Sequence, residues 1–112
     1  MSTKMRSLFL SWAALIAQAA YPVFAEDNKV AMVAIDSYQF KPAHLTIKKG
    51  SKVQFENHDA APHTVSPSTE GQFTGLTRLL NGQKGTIQFD KPGEYKYYCQ
   101  FHPSMIGIIT VK

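Results

Sequence analysis

Past residue 29 the apolar positions of the chain recur at every second residue rather than every third or fourth. Leu45 and Ile47 alternate with Thr46 and Lys48, Val53 and Phe55 with Lys52, Gln54 and Glu56, and Ile87 and Phe89 with Thr86 and Gln88. That period turns one side of each segment toward a core and the other toward water, the mark of half-buried β-strands. Val30-Ala31-Met32-Val33-Ala34-Ile35 is apolar without a break and reads as a buried strand. Tyr95-Lys96-Tyr97-Tyr98-Cys99 predicts an aromatic strand, and Ile106 to Val111 a closing one. Gly50-Ser51 and Lys91-Pro92-Gly93 are turn signals, since Pro presets φ and Gly takes backbone conformations closed to other residues. Residues 57–82 are the least regular stretch, holding Pro62, Pro67, Gly71, Gly75 and Gly82, and predict long connections with one short strand near His63-Thr64-Val65. No segment past residue 29 has a helical period. Short strands with Gly and Pro between them predict an all-β sandwich or barrel.

The start of the chain follows a different pattern. Lys4 and Arg6 precede an apolar run from Leu8 to Ala20 that only Ser11 and Gln18 interrupt, and Val23-Phe24-Ala25 places small residues where a signal peptidase would cut. Residues 1–25 therefore read as a cleavable secretory signal peptide and residues 26–112 as a single domain. The apolar run is well short of the ~20 residues that cross a bilayer, so no stable membrane association is expected.

Composition sharpens this only once the leader is set aside. The 112-residue chain carries a formal charge of +4. Without Lys4 and Arg6 the balance falls to +2, too close to neutral for a nucleic-acid reading. A 44% hydrophobic content supports a core, and one cysteine excludes an internal disulfide framework. An exported chain with a lone cysteine calls for a reason to keep it reduced, and metal ligation is one such reason.

That cysteine opens the most informative segment, Cys99-Gln100-Phe101-His102-Pro103-Ser104-Met105. It presents a thiol, an imidazole and a thioether on one short loop between two strands. Upstream, His63 in Ala61-Pro62-His63-Thr64-Val65 lies near a strand that antiparallel pairing can bring beside the loop. Two His, one Cys and a distant Met form the donor set of a mononuclear blue-copper site. A core cysteine, a loop-capping methionine and two surface histidines would also account for these residues one by one, but four such coincidences explain less than one metal site. His44 and His58 fall outside the pattern and read as solvated surface histidines.

The sequence resembles a small cupredoxin of the amicyanin-like group in the plastocyanin and azurin superfamily. The features that carry the resemblance are Pro62-His63, Gly93-Glu94-Tyr95-x-Tyr97-x-Cys99 and Cys99-x2-His102-Pro103-x-Met105, whose short Met spacing is the amicyanin-like trait. The resemblance implies a Greek-key β-sandwich with one copper ion near one end. It implies His63, His102 and Cys99 as principal ligands and Met105 as the long axial one. The implied role is a periplasmic, non-enzymatic carrier of single electrons between redox proteins, a c-type cytochrome or a periplasmic dehydrogenase among them, acting as a monomer. A periplasmic copper carrier or buffer with the same ligands is the alternative. Two positions depart from the group's pattern. Phe101 stands where many relatives have proline, so its N–H is available to the sulfur. Thr64 and Gln100 stand where an Asn and a Thr or Ser commonly bridge the site, and predict a hydroxyl-to-amide bond in their place.

Overall fold

The computed structural model describes residues 30–112. The signal peptide read over residues 1–25 lies outside the described residues. Among the described residues there are nine strands and no helix: β1 (Val30–Asp36), β2 (Gln39–Lys41), β3 (His44–Ile47), β4 (Ser51–Asn57), β5 (His63–Pro67), β6 (Leu76–Leu79), β7 (Lys84–Phe89), β8 (Gly93–Tyr98) and β9 (Ile106–Val111). They form two sheets, one ordered β2-β1-β4-β7 and the other β3-β9-β8-β5-β6. The chain repeatedly crosses from one sheet to the other, so the expected all-β sandwich with Greek-key connections is what forms.

The core lies between the sheets and follows the predicted alternation. Val53 and Phe55 of β4, Ile87 and Phe89 of β7, Tyr95 and Tyr97 of β8, and Ile109 and Val111 of β9 all point inward. In β1, Val33 and Ile35 are buried, whereas Val30 and Met32 face solvent. This corrects the reading of β1 as buried on both sides: its sheet is an outer layer, and one face of an outer layer stays wet. The strand expected near His63 is β5. The irregular stretch also holds β6, and β2 follows β1 as its antiparallel neighbour in the same sheet. β2 is too short to show a period and β6, Leu-Thr-Arg-Leu, does not alternate, so each is defined by the neighbour it pairs with.

The chain reverses between β3 and β4 through Gly50, whose φ of 87° suits glycine. Gly107 answers a different need. It lies opposite Tyr97 in the β8–β9 ladder, and a Cβ there would come within 2.2 Å of the Tyr97 Cζ. Its lack of a side chain lets the Tyr97 ring lie across β9 and meet Phe40 and Phe55 edge-on, with centroids 4.7 and 5.5 Å away. The Tyr97 hydroxyl is buried there without a hydrogen-bond partner, and burial pushes its pKa up.

Two features of the five-stranded sheet set up the site. Strands β5 and β8 run antiparallel, pairing Ser66 with Tyr98 and Pro67 with Tyr97 at the end of each, so the start of β5 lies beside the residues that follow β8. The β5–β6 register slips between His63 and Val65, a local irregularity of the kind that re-aims a side chain.

Candidate metal centre

Cys99 follows the last residue of β8, and its side chain belongs to the hydrophobic core. The loop that starts there is tied to itself by three backbone bonds. The His102 N–H donates to the Cys99 carbonyl at 3.2 Å, the Met105 N–H to the His102 carbonyl at 2.8 Å, and the Cys99 N–H to the Met105 carbonyl at 3.2 Å. The compact loop turns the His102 ring back over the sulfur and returns the chain to β9 with Met105 buried in the same cluster as Cys99. His63 arrives from the neighbouring strand, fully buried.

Together these elements place His63 Nδ1 3.6 Å and His102 Nδ1 4.0 Å from Cys99 Sγ. The three donor atoms lie within 4.8 Å of one another. One ion with metal–nitrogen bonds of about 2.0 Å and a metal–sulfur bond of about 2.3 Å, at angles near 120°, holds nitrogen and sulfur about 3.7 Å apart. The observed separations bracket that value, and the two-imidazole, one-thiolate set is the trigonal donor group that suits copper. These residues therefore fit the ion their chemistry implies.

The surroundings fix each donor. Asp59 Oδ2 accepts the Nε2–H of His63 at 2.9 Å, which leaves the Nδ1 lone pair facing the sulfur. Burial by itself raises the Asp59 pKa. The N–H of Tyr38, the His63 imidazole and the N–H of Ser37 outweigh that effect and bring the carboxyl below its ordinary value. Asp59 is held in turn by Asn57, whose buried side chain accepts the Asp59 N–H at 2.8 Å and donates to the carbonyls of Ala61 and Leu79 at 2.9 and 2.8 Å. On the sulfur side, the Thr64 N–H reaches Sγ at 3.4 Å, and the Thr64 hydroxyl accepts the Gln100 backbone N–H at 2.9 Å.

Residues 6–111 match the family described as cupredoxin-like domain. The chain is a member of the cupredoxin family. Amicyanin-alpha of Methylorubrum extorquens is 33% identical over 108 residues, covering 93% of this chain and 90% of that one. Amicyanin of Paracoccus versutus is 31% identical over 97 residues, with 81% and 73% covered. The solved structure of a reduced tryptophan-to-tyrosine variant of amicyanin superimposes with a TM-score of 0.70 at 26% identity, over 74% of this chain and 82% of that one.

In this cupredoxin the donor atoms of His63, Cys99 and His102 come together, and Met105 is buried in the same hydrophobic cluster as Cys99. His44 and His58 stay outside, the first exposed with Nε2 3.0 Å from the Thr110 hydroxyl, the second exposed beside Glu56. Two expectations change. Among the described residues the N–H that donates to the sulfur belongs to Thr64 and not to Phe101. The bridge over the site runs from the Thr64 hydroxyl to the Gln100 backbone, while the Gln100 side chain is not its acceptor or donor. Asp59, Asn57 and Tyr38 were not singled out in the sequence. The one available signal was Asp59 itself, a carboxylate four residues before His63 in the same loop.

Proposed function

We propose that this cupredoxin holds one copper ion through His63 Nδ1, Cys99 Sγ and His102 Nδ1, with Met105 as a weaker fourth ligand, and carries single electrons between redox proteins. The observation that carries the reading is that the two imidazole nitrogens lie 3.6 and 4.0 Å from one sulfur, close to the separation a single shared ion would hold. Bound copper supplies the one-electron couple. The protein supplies a frame that resists change of geometry: Asp59 fixes the His63 ring, Thr64 ties the sulfur to β5, and the self-bonded loop fixes His102.

Burial of Cys99 and His63 keeps water from the sulfur and the inner imidazole. His102 is half-buried and offers the way out, flanked by the exposed Phe101 and Pro103. An apolar rim of this kind suits the small interfaces of brief redox encounters. The leader over residues 1–25 supports export, with the periplasm as the place of work and other redox proteins there as donor and acceptor.

The test is to purify residues 26–112, add one equivalent of Cu(II) and record visible and EPR spectra. An intense blue thiolate-to-copper band with narrow copper hyperfine splitting, lost in Cys99→Ser, is expected. A pale protein that still binds copper would overturn the electron-carrier reading and promote copper transport or storage.

A further inference from the structure

The turn between β1 and β2 passes through Ser37 and Tyr38, with φ of 54° and 59°. Residues with a side chain hold this left-handed region only where neighbours fix them there. Here Asp59 does so: Oδ1 accepts the Ser37 N–H at 2.8 Å and Oδ2 the Tyr38 N–H at 2.9 Å. The same Oδ2 accepts His63 Nε2–H, so one carboxylate joins the turn to the buried imidazole.

The turn aims the Tyr38 ring at both imidazoles. Its centroid lies 5.1 Å from that of His63 with the planes at 89°, and 4.6 Å from that of His102 at 85°. Both are edge-to-face contacts, the favoured arrangement of aromatic rings. The two histidines depend on it differently. His63 has Asp59 on its outer nitrogen. Among the described residues the polar contact of His102 is through Nδ1 to the sulfur, so packing sets the tilt of its outer edge. Tyr38 is itself 47% exposed and forms part of the surface over that edge.

We propose that Tyr38 is a positioning residue that fixes the orientation of the His102 ring, an inference that rests on the reading of His63 and His102 as ligands of one metal. The phenol hydroxyl has no part in it; the ring does the positioning.

The test compares Tyr38→Phe, which keeps the ring, with Tyr38→Asn and Tyr38→Gly, which remove it while tolerating positive φ. The readout is side-chain NMR relaxation of both histidines in metal-free protein, with amide exchange at residues 37 and 38 reporting that the turn is intact. In the ring-less variants the His102 reorientation rate is expected to rise roughly two- to tenfold, the factor an edge-to-face pair corresponds to. His63 stays as in the wild type, and Tyr38→Phe behaves as the wild type for both rings. In copper-loaded protein the EPR hyperfine splitting moves in the ring-less variants and not in Tyr38→Phe. An unchanged His102 rate in Tyr38→Asn and Tyr38→Gly, with the turn still protected, would overturn the proposal. A wild-type protein without the blue band would sink the function proposed above, while the metal-free comparison would still decide the role of Tyr38.

Discussion

Thr64 grips Cys99 from two sides: its N–H points at the sulfur from 3.4 Å, and its hydroxyl holds the N–H of Gln100, the residue that follows. A hydrogen bond to sulfur stabilises the more electron-rich, reduced state of a thiolate–copper site. Removing the donor in Thr64→Pro is expected to lower the reduction potential relative to Thr64→Val, which lacks only the hydroxyl. A bond worth about 1 kcal/mol more to one oxidation state corresponds to roughly 40 mV for one electron. Voltammetry of the two variants measures it. Phe101→Pro should shift the potential less than Thr64→Pro, and a larger shift would return the donor role to Phe101.

Thr64→Val by itself probes the hydroxyl. Valine matches the shape, but the Gln100 N–H loses its acceptor in a partly buried place. A loss of about 1–2 kcal/mol is expected from urea unfolding. An unchanged midpoint would mean that the bridge carries none of the loop's stability.

Asp59→Ala removes three hydrogen bonds at once, from Ser37, Tyr38 and His63. A loss of about 2–3 kcal/mol is expected, because bonds to a charged acceptor are the stronger kind. Hydrogen exchange should quicken first at the amides of residues 37 and 38, ahead of the core strands. Uniform acceleration across the sandwich would contradict the local role given to this carboxylate.

Tyr97 and Gly107 form a fitted pair. Gly107→Ala drives a methyl into the Tyr97 ring and is expected to cost about 3 kcal/mol or more, the upper end of overpacking. Tyr97→Phe deletes a buried hydroxyl that lacks a partner and should be neutral or stabilising by about 1 kcal/mol. Thermal unfolding of both variants, and of Gly107→Ala combined with Tyr97→Leu, reads the coupling. If the double variant is no more stable than the sum of the singles predicts, the ring is not what Gly107 accommodates.

The sequence made the donor set legible because ligand chemistry restricts residue type: few side chains other than Cys, His and Met can serve as soft donors, so their spacing stands out. Alternation exposed β3, β4 and β7 for a similar reason, since each has a wetter and a drier face. β2 left no trace because three residues hold barely one repeat, and β6 because Thr77 and Arg78 stand side by side between its two leucines. The groups around the donors were hidden for another reason. Thr64 and Phe101 each carry an N–H, and only the folded register of β5 against β8 decides which one meets the sulfur. Asp59 reads as a polar turn residue, and Tyr38 as an exposed aromatic, until the turn between β1 and β2 is folded against the loop before β5. β1 misled in the opposite sense, because an apolar run does not say how many of its faces another layer covers.

The place of β9 has a consequence for the order of events as the chain folds. The strand is an interior one, parallel to β3 and antiparallel to β8, and the loop that carries His102 and Met105 ends where it begins. The β8 pairing is a local hairpin, but the β3 pairing joins His44 to Ile108 across most of the domain, and such closures are slow because chain entropy is lost before contacts are gained. Until Ile106–Val111 docks, β3 has no ladder neighbour and the loop has no fixed far end. The loop from Cys99 to Met105 therefore belongs to a local hairpin, and the ligand cluster is complete only once the longer-range pairing of Ser66 with Tyr98 brings His63 beside it.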